Sequence, residues 1–136
     1  LEPAPPRRPG VFMLGAELRL GQVLVNVITN AQTFSPVNGK IWVRLTRERG
    51  DILLSVEDQG IGFPADKLNK VFDRFYTDRP EQDGFGKHSG LGLSISKQIV
   101  NAHGGKIWAE NADRNGEISG GRVVLRLPEM PEDFKL

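Results

Sequence analysis

The chain has 136 residues, 38% of them hydrophobic and 26% charged, with 18 Lys+Arg against 17 Asp+Glu and a net charge of +1, the size and composition of one globular domain. So even a balance excludes the basic excess that non-specific nucleic-acid binding needs, and the short apolar runs fall far below the ~20 residues that cross a bilayer. With no cysteine and only His88 and His103 as histidines, disulfide frameworks, thiolate zinc sites, cysteine nucleophiles and His-rich metal clusters are excluded as well.

Residues 1–10 are dense in proline and lack any apolar period, the pattern of an extended linker or a cut end. Val11–Leu14 is a short apolar run expected to form a strand. From Glu17 to Thr33 the apolar residues Leu20, Val23, Leu24, Val27, Ile28 and Ala31 recur at helical spacing. Ser35-Pro36-Val37-Asn38-Gly39 supplies turn chemistry. Ile41, Val43 and Leu45 then alternate with Trp42, Arg44 and Thr46 as in a half-buried strand, and Arg49-Gly50-Asp51 turns the chain back into Ile52, Leu54 and Val56, again at period two.

Asp58–Pro64 interrupts the alternation, and Ala65–Phe72 is expected to be a short helix. Thr77–Ser89 is polar, contains glycine and has no period, as in a mobile loop. Leu91, Ile95, Ile99 and Ala102 restore helical spacing up to His103, and Gly104-Gly105 supplies a C-terminal cap. Two last strands are expected near Lys106–Glu110 and Arg122–Leu127, around a connection holding Asn115-Gly116 and Gly120-Gly121. Residues 129–136 read as a loose tail. Helices interleaved with antiparallel hairpins predict one α+β domain over residues 11–128, a two-layer sandwich with helices on one face of the sheet.

Three constellations carry chemistry. Gln22, Asn26 and Asn30, four residues apart, form a polar stripe on the long helix whose amide oxygens suit Mg²⁺, although a solvated or capping polar face is the commoner origin of such a stripe. Asp58-Gln-Gly60-Ile-Gly62 follows a strand. Its glycines permit positive φ and close approach of a ligand, its carboxylate can accept hydrogen bonds from an amino group such as that of adenine, and the bland alternative is a plain turn. Ser89-Gly90-Leu91-Gly92-Leu93-Ser94 opens a helix, so its unpaired N–H groups and the helix dipole favour a phosphate chain, unless it is simply a flexible helix start. Neither the P-loop nor the dinucleotide-binding glycine fingerprint is present.

Taken in order, Val23–Ala31, Glu57–Gly62, Val71–Tyr76 and Gly90–Ile95 resemble the four motif boxes of the ATP-binding domain of sensor histidine kinases. That domain belongs to the superfamily shared with gyrase, Hsp90 and MutL. The resemblance spans about Val11 to Leu127, and Phe-Asp-Arg-Phe-Tyr together with Gly-Leu-Gly-Leu-Ser-Ile selects the kinase branch. It implies a Bergerat-type two-layer sandwich with a mixed sheet, an ATP-dependent protein histidine kinase activity, and ATP and Mg²⁺ as ligands.

By the same resemblance Asn30 is the principal Mg²⁺ ligand and Asn26 a second metal or phosphate contact. Asp58 would bind the adenine amino group, with Gly60 and Gly62 shaping its pocket and Phe34 lying against the nucleoside. Arg74 would meet the γ-phosphate, its alternative being a surface ion pair with Asp73 or Asp78. Gly90, Leu91, Gly92 and Leu93 would cradle the phosphates. Thr77–Ser89 would be a lid in which Lys87 and His88 either reach the phosphates or, as is commoner, stay as solvated charges, and Tyr76 at its start is either a nucleotide contact or a packing residue. His103, in the last turn of its helix, is read as structural.

One departure stands out, since much of the family has a basic residue where Thr33 stands. It predicts weaker nucleotide binding, or a larger share of the phosphate contact for Arg74 and Lys87. It also motivates the alternative of a regulatory nucleotide-binding module without kinase activity. A serine kinase of the same fold is a further alternative, disfavoured by the Phe72–Tyr76 box. The resemblance places the phosphoacceptor histidine on an upstream dimerisation domain, which passes phosphate to a response regulator. The fragment itself is expected to be cytoplasmic, monomeric and not membrane-inserted, and the parent protein a homodimer at a bacterial inner membrane.

Overall fold

The computed structural model describes residues 17–74 and 92–128. The linker at 1–10, the strand at Val11–Leu14, the loop at Thr77–Ser89 and the tail at 129–136 lie outside the described residues.

Helix α1 (Glu17–Phe34) follows the expected stripe except at Leu24, which is 37% exposed. Its run of β-branched residues is a poor intrinsic helix former, so burial rather than propensity holds it. Val23 and Val27 are each 1% exposed and Ala31 3%, and each valine so buried contributes about 1.5–3 kcal/mol. The helix ends where the N–H of Ser35 donates to the carbonyl of Ala31, because Pro36 disfavours helical geometry in the residue before it.

Strands β1 (Trp42–Glu48) and β2 (Asp51–Glu57) form an antiparallel hairpin in which Glu48 faces Asp51. Arg49 and Gly50, at φ 51° and 81°, make the two-residue turn of positive φ that suits strand twist. Helix α2 (Gly92–Ala102) ends in a Schellman cap: the N–H of Gly105 donates to the carbonyl of Val100, that of Gly104 to Asn101, and Gly104 has φ 78°. The ring Nδ1 of His103 hydrogen-bonds the carbonyl of Ile99 at 2.7 Å, in keeping with a structural role. Strands β3 (Lys106–Arg114) and β4 (Glu117–Pro128) complete a sheet of order β1-β2-β4-β3. Helices α1 and α2 pack on one another and over β2, β4 and β3. The core between the layers includes Val56, Val100, Leu125 and Leu127. On the open face Arg122 bridges Glu57 and Glu110, and Arg126 reaches Asp51.

Several expectations are corrected. The described strands pair only antiparallel, so a mixed sheet is not seen among the described residues. β1 is an edge strand rather than a half-buried one: Val43 and Leu45 are each 52% exposed, since the helices pack over its neighbours. The helix expected over Ala65–Phe72 shrinks to one 3-10 turn, Ala65–Lys67, followed by turns in which Lys70 and Asp73 bond three residues back. This path buries the consecutive residues Val71 and Phe72.

The buried face of α2 is Leu93, Ser96, Ile99 and Val100, while Ala102 is exposed. A fully buried serine, satisfied by the carbonyl of Gly92 at 2.9 Å, hides the true face from a hydrophobicity pattern. Finally, the β3–β4 connection is only Asn115-Gly116, both at positive φ. Gly120 and Gly121 lie within β4, just past a register shift that leaves Ser119 unpaired.

Candidate functional site

The segment after β2 lies across the end of β4 because two glycines let it. A Cβ on Gly120 would sit 1.8 Å from the carbonyl oxygen of Asp58, and one on Gly121 would sit 2.9 Å from the Phe63 ring. The Asp58 N–H donates to the carbonyl of Gly121 at 2.9 Å. In return the Gly121 N–H donates to Asp58 Oδ1 at 3.1 Å, and so does the Gly60 N–H at 2.8 Å. Oδ1 therefore takes both donors, and Oδ2 has no hydrogen-bond partner among the described residues. Asp58 is 5% exposed. Burial pushes its carboxyl above the usual carboxylate range, the two backbone N–H bonds pull it back, and neighbouring Glu57 adds a further upward push. A buried carboxylate with one open oxygen is a receptor for a neutral donor such as an aromatic amine.

The two pocket glycines act differently. Gly62 has φ 78°, a conformation that favours glycine, and its Cβ would collide with Asn111 and Ile118. Gly60 is not at positive φ; it is glycine because a Cβ would meet the backbone of Phe34, which docks the end of α1 onto the loop. The side chain of Phe34 is half-buried there. Next to it, the Lys40 N–H donates to Gln59 Oε1 at 2.7 Å.

Across the helix layer, Asn26 on α1 meets the start of α2. Its Nδ2 lies 3.3 Å from the carbonyl oxygen of Gly92 and 3.4 Å from Ser96 Oγ, and a Cβ on Gly92 would just touch Asn26. The fold thus brings together Asn26 and Gly92, 66 residues apart. Asn30 is half-buried one turn further on, and its amide has no hydrogen-bond partner among the described residues. Leu93 is buried in the core, so only its backbone is available to a ligand. Arg74 is exposed at the end of the 64–74 segment, two residues past buried Phe72; Lys97 of α2 lies over the Phe72 ring at 6.0 Å. Thr33 is exposed and its hydroxyl donates back to the carbonyl of Thr29 at 2.9 Å. Tyr76, Lys87, His88, Gly90 and Leu91 lie outside the described residues.

The residues that sequence reasoning missed are Gly120, Gly121, Phe63 and Asn111. The signal for the glycines was present: a Gly-Gly pair just ahead of the apolar run Val123–Leu127 marks close backbone approach within a strand as readily as a loop. Asn111 carries no such mark.

Comparison with known proteins places this geometry. A family model described as histidine kinase-, DNA gyrase B-, and HSP90-like ATPase matches residues 15–131. The sensor protein ChvG of Rhizobium meliloti strain 1021 is 53% identical over 126 residues, 91% of this chain and 22% of that protein. The sensor histidine kinase WalK of Bacillus subtilis strain 168 is 42% identical over 117 residues, 84% of this chain and 18% of that protein. The chain therefore spans about a fifth of the length of these relatives. Among solved structures, the mycobacterial sensor histidine kinase MprB superposes with a TM-score of 0.77 at 36% identity, covering 88% of this chain and 76% of that one. Histidine kinase ThkA in complex with response regulator protein TrrA gives 0.64 at 31% identity, covering 86% of this chain and 30% of that one.

Proposed function

The chain belongs to the family of histidine kinase-, DNA gyrase B- and HSP90-like ATPases, and from that premise we propose that it binds Mg-ATP and donates the γ-phosphoryl group to a histidine on a separate domain of its parent protein. It is homologous to the ATP-binding catalytic domains of sensor histidine kinases. The observation that carries the nucleotide reading is the buried Asp58 carboxylate with Oδ1 saturated and Oδ2 open. Adenine's exocyclic amine fits that oxygen, and Gly60 and Gly62 shape the turn beside it by packing closely on Phe34 and Asn111.

In this reading the start of α2 receives the phosphates. Gly92 and Leu93 offer first-turn N–H groups that have no helical acceptor, with Gly90 and Leu91 preceding them. Asn30 and Asn26 would hold Mg²⁺, which neutralises phosphate charge when bound; the amide of half-buried Asn30, unpaired among the described residues, suits a metal that takes oxygen donors and shares its shell with phosphates. Arg74 meets the γ-phosphate, where its planar guanidinium stabilises charge on the equatorial oxygens. Phe34 lies against the nucleoside, and Tyr76, Lys87 and His88 are further nucleotide contacts. The bond from the γ-phosphorus to the bridging oxygen breaks, a bond to the imidazole nitrogen forms, and ADP leaves.

The parent protein, in this proposal, is a homodimeric sensor kinase at a bacterial inner membrane with this domain on the cytoplasmic side, and its phosphohistidine supplies a response regulator. No described helix is long and apolar enough to cross a membrane. The test is to mix the chain with a histidine-bearing dimerisation domain and radiolabelled ATP. Label on histidine is the expected result. Tight ATP binding without transfer would instead favour a regulatory module.

A further inference from the structure

The nucleotide-facing loop is tied down at both ends, and its far end is held by one side chain. Oδ1 of Asn111 accepts the Phe63 N–H at 2.7 Å, and Nδ2 of Asn111 donates to the Phe63 carbonyl at 2.8 Å. The amide thus pairs with a backbone it is not joined to, as a neighbouring strand would. Asn111 stands opposite Gly121 in the β3–β4 register, and Gly121 exchanges two bonds with Asp58. One level of the sheet therefore anchors the loop twice, through Gly121 at Asp58 and through Asn111 at Phe63. Between the anchors lies the turn through Gly60 and Gly62, and Gly62 sits so close to the Asn111 amide that a Cβ would lie 2.6 Å from its oxygen.

We propose that Asn111 is a positioning residue for nucleotide binding: its two-bond clamp on Phe63 sets the path of the Gly60–Phe63 turn and thereby the shape of the base pocket beside Asp58. The proposal rests on the nucleotide reading above. Asn111 touches no ligand itself. It acts by removing the conformational freedom that a glycine-rich turn would otherwise surrender on binding. The N–H and the carbonyl of Phe63 both bond to this one side chain. Asparagine suits the place because it alone, with glutamine, presents a donor and an acceptor side by side.

The experiment measures ADP affinity by calorimetry and amide exchange by mass spectrometry on the wild-type chain, Asn111→Ala and Asn111→Asp. Arg126→Ala serves as a stability control, since it loosens the sheet at the end remote from the loop. Loss of both bonds is expected to raise the Kd for ADP roughly five- to twentyfold and to speed exchange at Gly60–Phe63 while β2 and β4 keep their protection. Asn111→Asp keeps the acceptor for the Phe63 N–H and loses the donor, so it should fall between the two and answers the question should Asn111→Ala fail to fold. Arg126→Ala should lower the melting temperature with ADP affinity unchanged. Wild-type binding with the same Kd and loop exchange in Asn111→Ala overturns the inference alone; no ADP binding by the folded wild-type chain overturns the functional reading beneath it.

Discussion

Gly120→Ala probes the account with the addition of one methyl group. The new Cβ would stand 1.8 Å from the Asp58 carbonyl oxygen and 2.7 Å from its carbon, where contacts below 3.0 Å essentially do not occur. Both atoms are backbone, so no rotamer relieves the clash, and the loop must lift from β4 by about 1 Å or more. Lifting it loosens the Asp58–Gly121 backbone bond and the Gly121 bond to Oδ1, and overpacking of this kind costs about 1–3 kcal/mol. The same displacement carries the open Oδ2 away from its ligand. Gly116→Ala is the matched control: at φ 83° with nothing within 4 Å, it pays about 1–2 kcal/mol of left-handed strain far from Asp58. Thermal unfolding and ADP calorimetry on the two variants should show both destabilised and only Gly120→Ala defective in binding. A Gly120→Ala chain that melts and binds like wild type would refute the role given to β4 as the floor of the site.

Acidification should weaken ADP binding at a higher pH than an ordinary carboxylate at ~3.9 would cause, because burial raises the folded-state pKa of Asp58 and the protonated group loses its acceptor; calorimetry against pH reads this out. The sign for stability is opposite. The nucleotide-free folded chain binds this proton more readily than the unfolded one, so the Asp58 contribution to stability falls as pH rises from the unfolded pKa through the raised folded one, and Asp58→Asn should remove that slope in melts. Gly21→Ala, in an exposed helical position with open space around it, should stabilise the chain by about 0.5–1 kcal/mol without changing nucleotide affinity. Asn30→Ala should leave the melting temperature near wild type but abolish the Mg²⁺ dependence of ATP binding, measured by titration with and without the metal.

The long first helix and the first hairpin were legible because each rests on local rules. The stripe Leu20–Ala31 has helical period and Arg49-Gly50 turns the chain between two alternating runs, whereas the second hairpin was seen only as two short strands around an overlong connection. Asp58, Asn26 and Gly92 were also legible as candidates, through glycine spacing and the polar stripe. What escaped depends on position in three dimensions. Val43 and Leu45 alternate like core residues, yet edge placement leaves them in solvent. Ser96 looks polar and is buried, its hydroxyl donating to the Gly92 carbonyl one turn back and accepting from Asn26 of α1. Gly120 and Gly121 resemble loop glycines until the Asp58 backbone is seen lying on them, and Asn111 belongs to the site only through a strand 48 residues away from Phe63. Periodicity reports which face is buried, whereas proximity across the sheet sets which residues build the pocket.

The central claim is that Asp58 receives the adenine of a bound nucleotide, and calorimetric titration of the wild-type chain and Asp58→Asn with ADP tests it most directly. Asparagine can keep Oδ1 on the Gly60 and Gly121 N–H groups and place its NH₂ where Oδ2 stood, turning an acceptor into a donor without disturbing the loop. The account predicts measurable wild-type binding and a loss of roughly tenfold to a hundredfold in the variant, with the folded state at least as stable at neutral pH. Equal affinity in the two chains would contradict it.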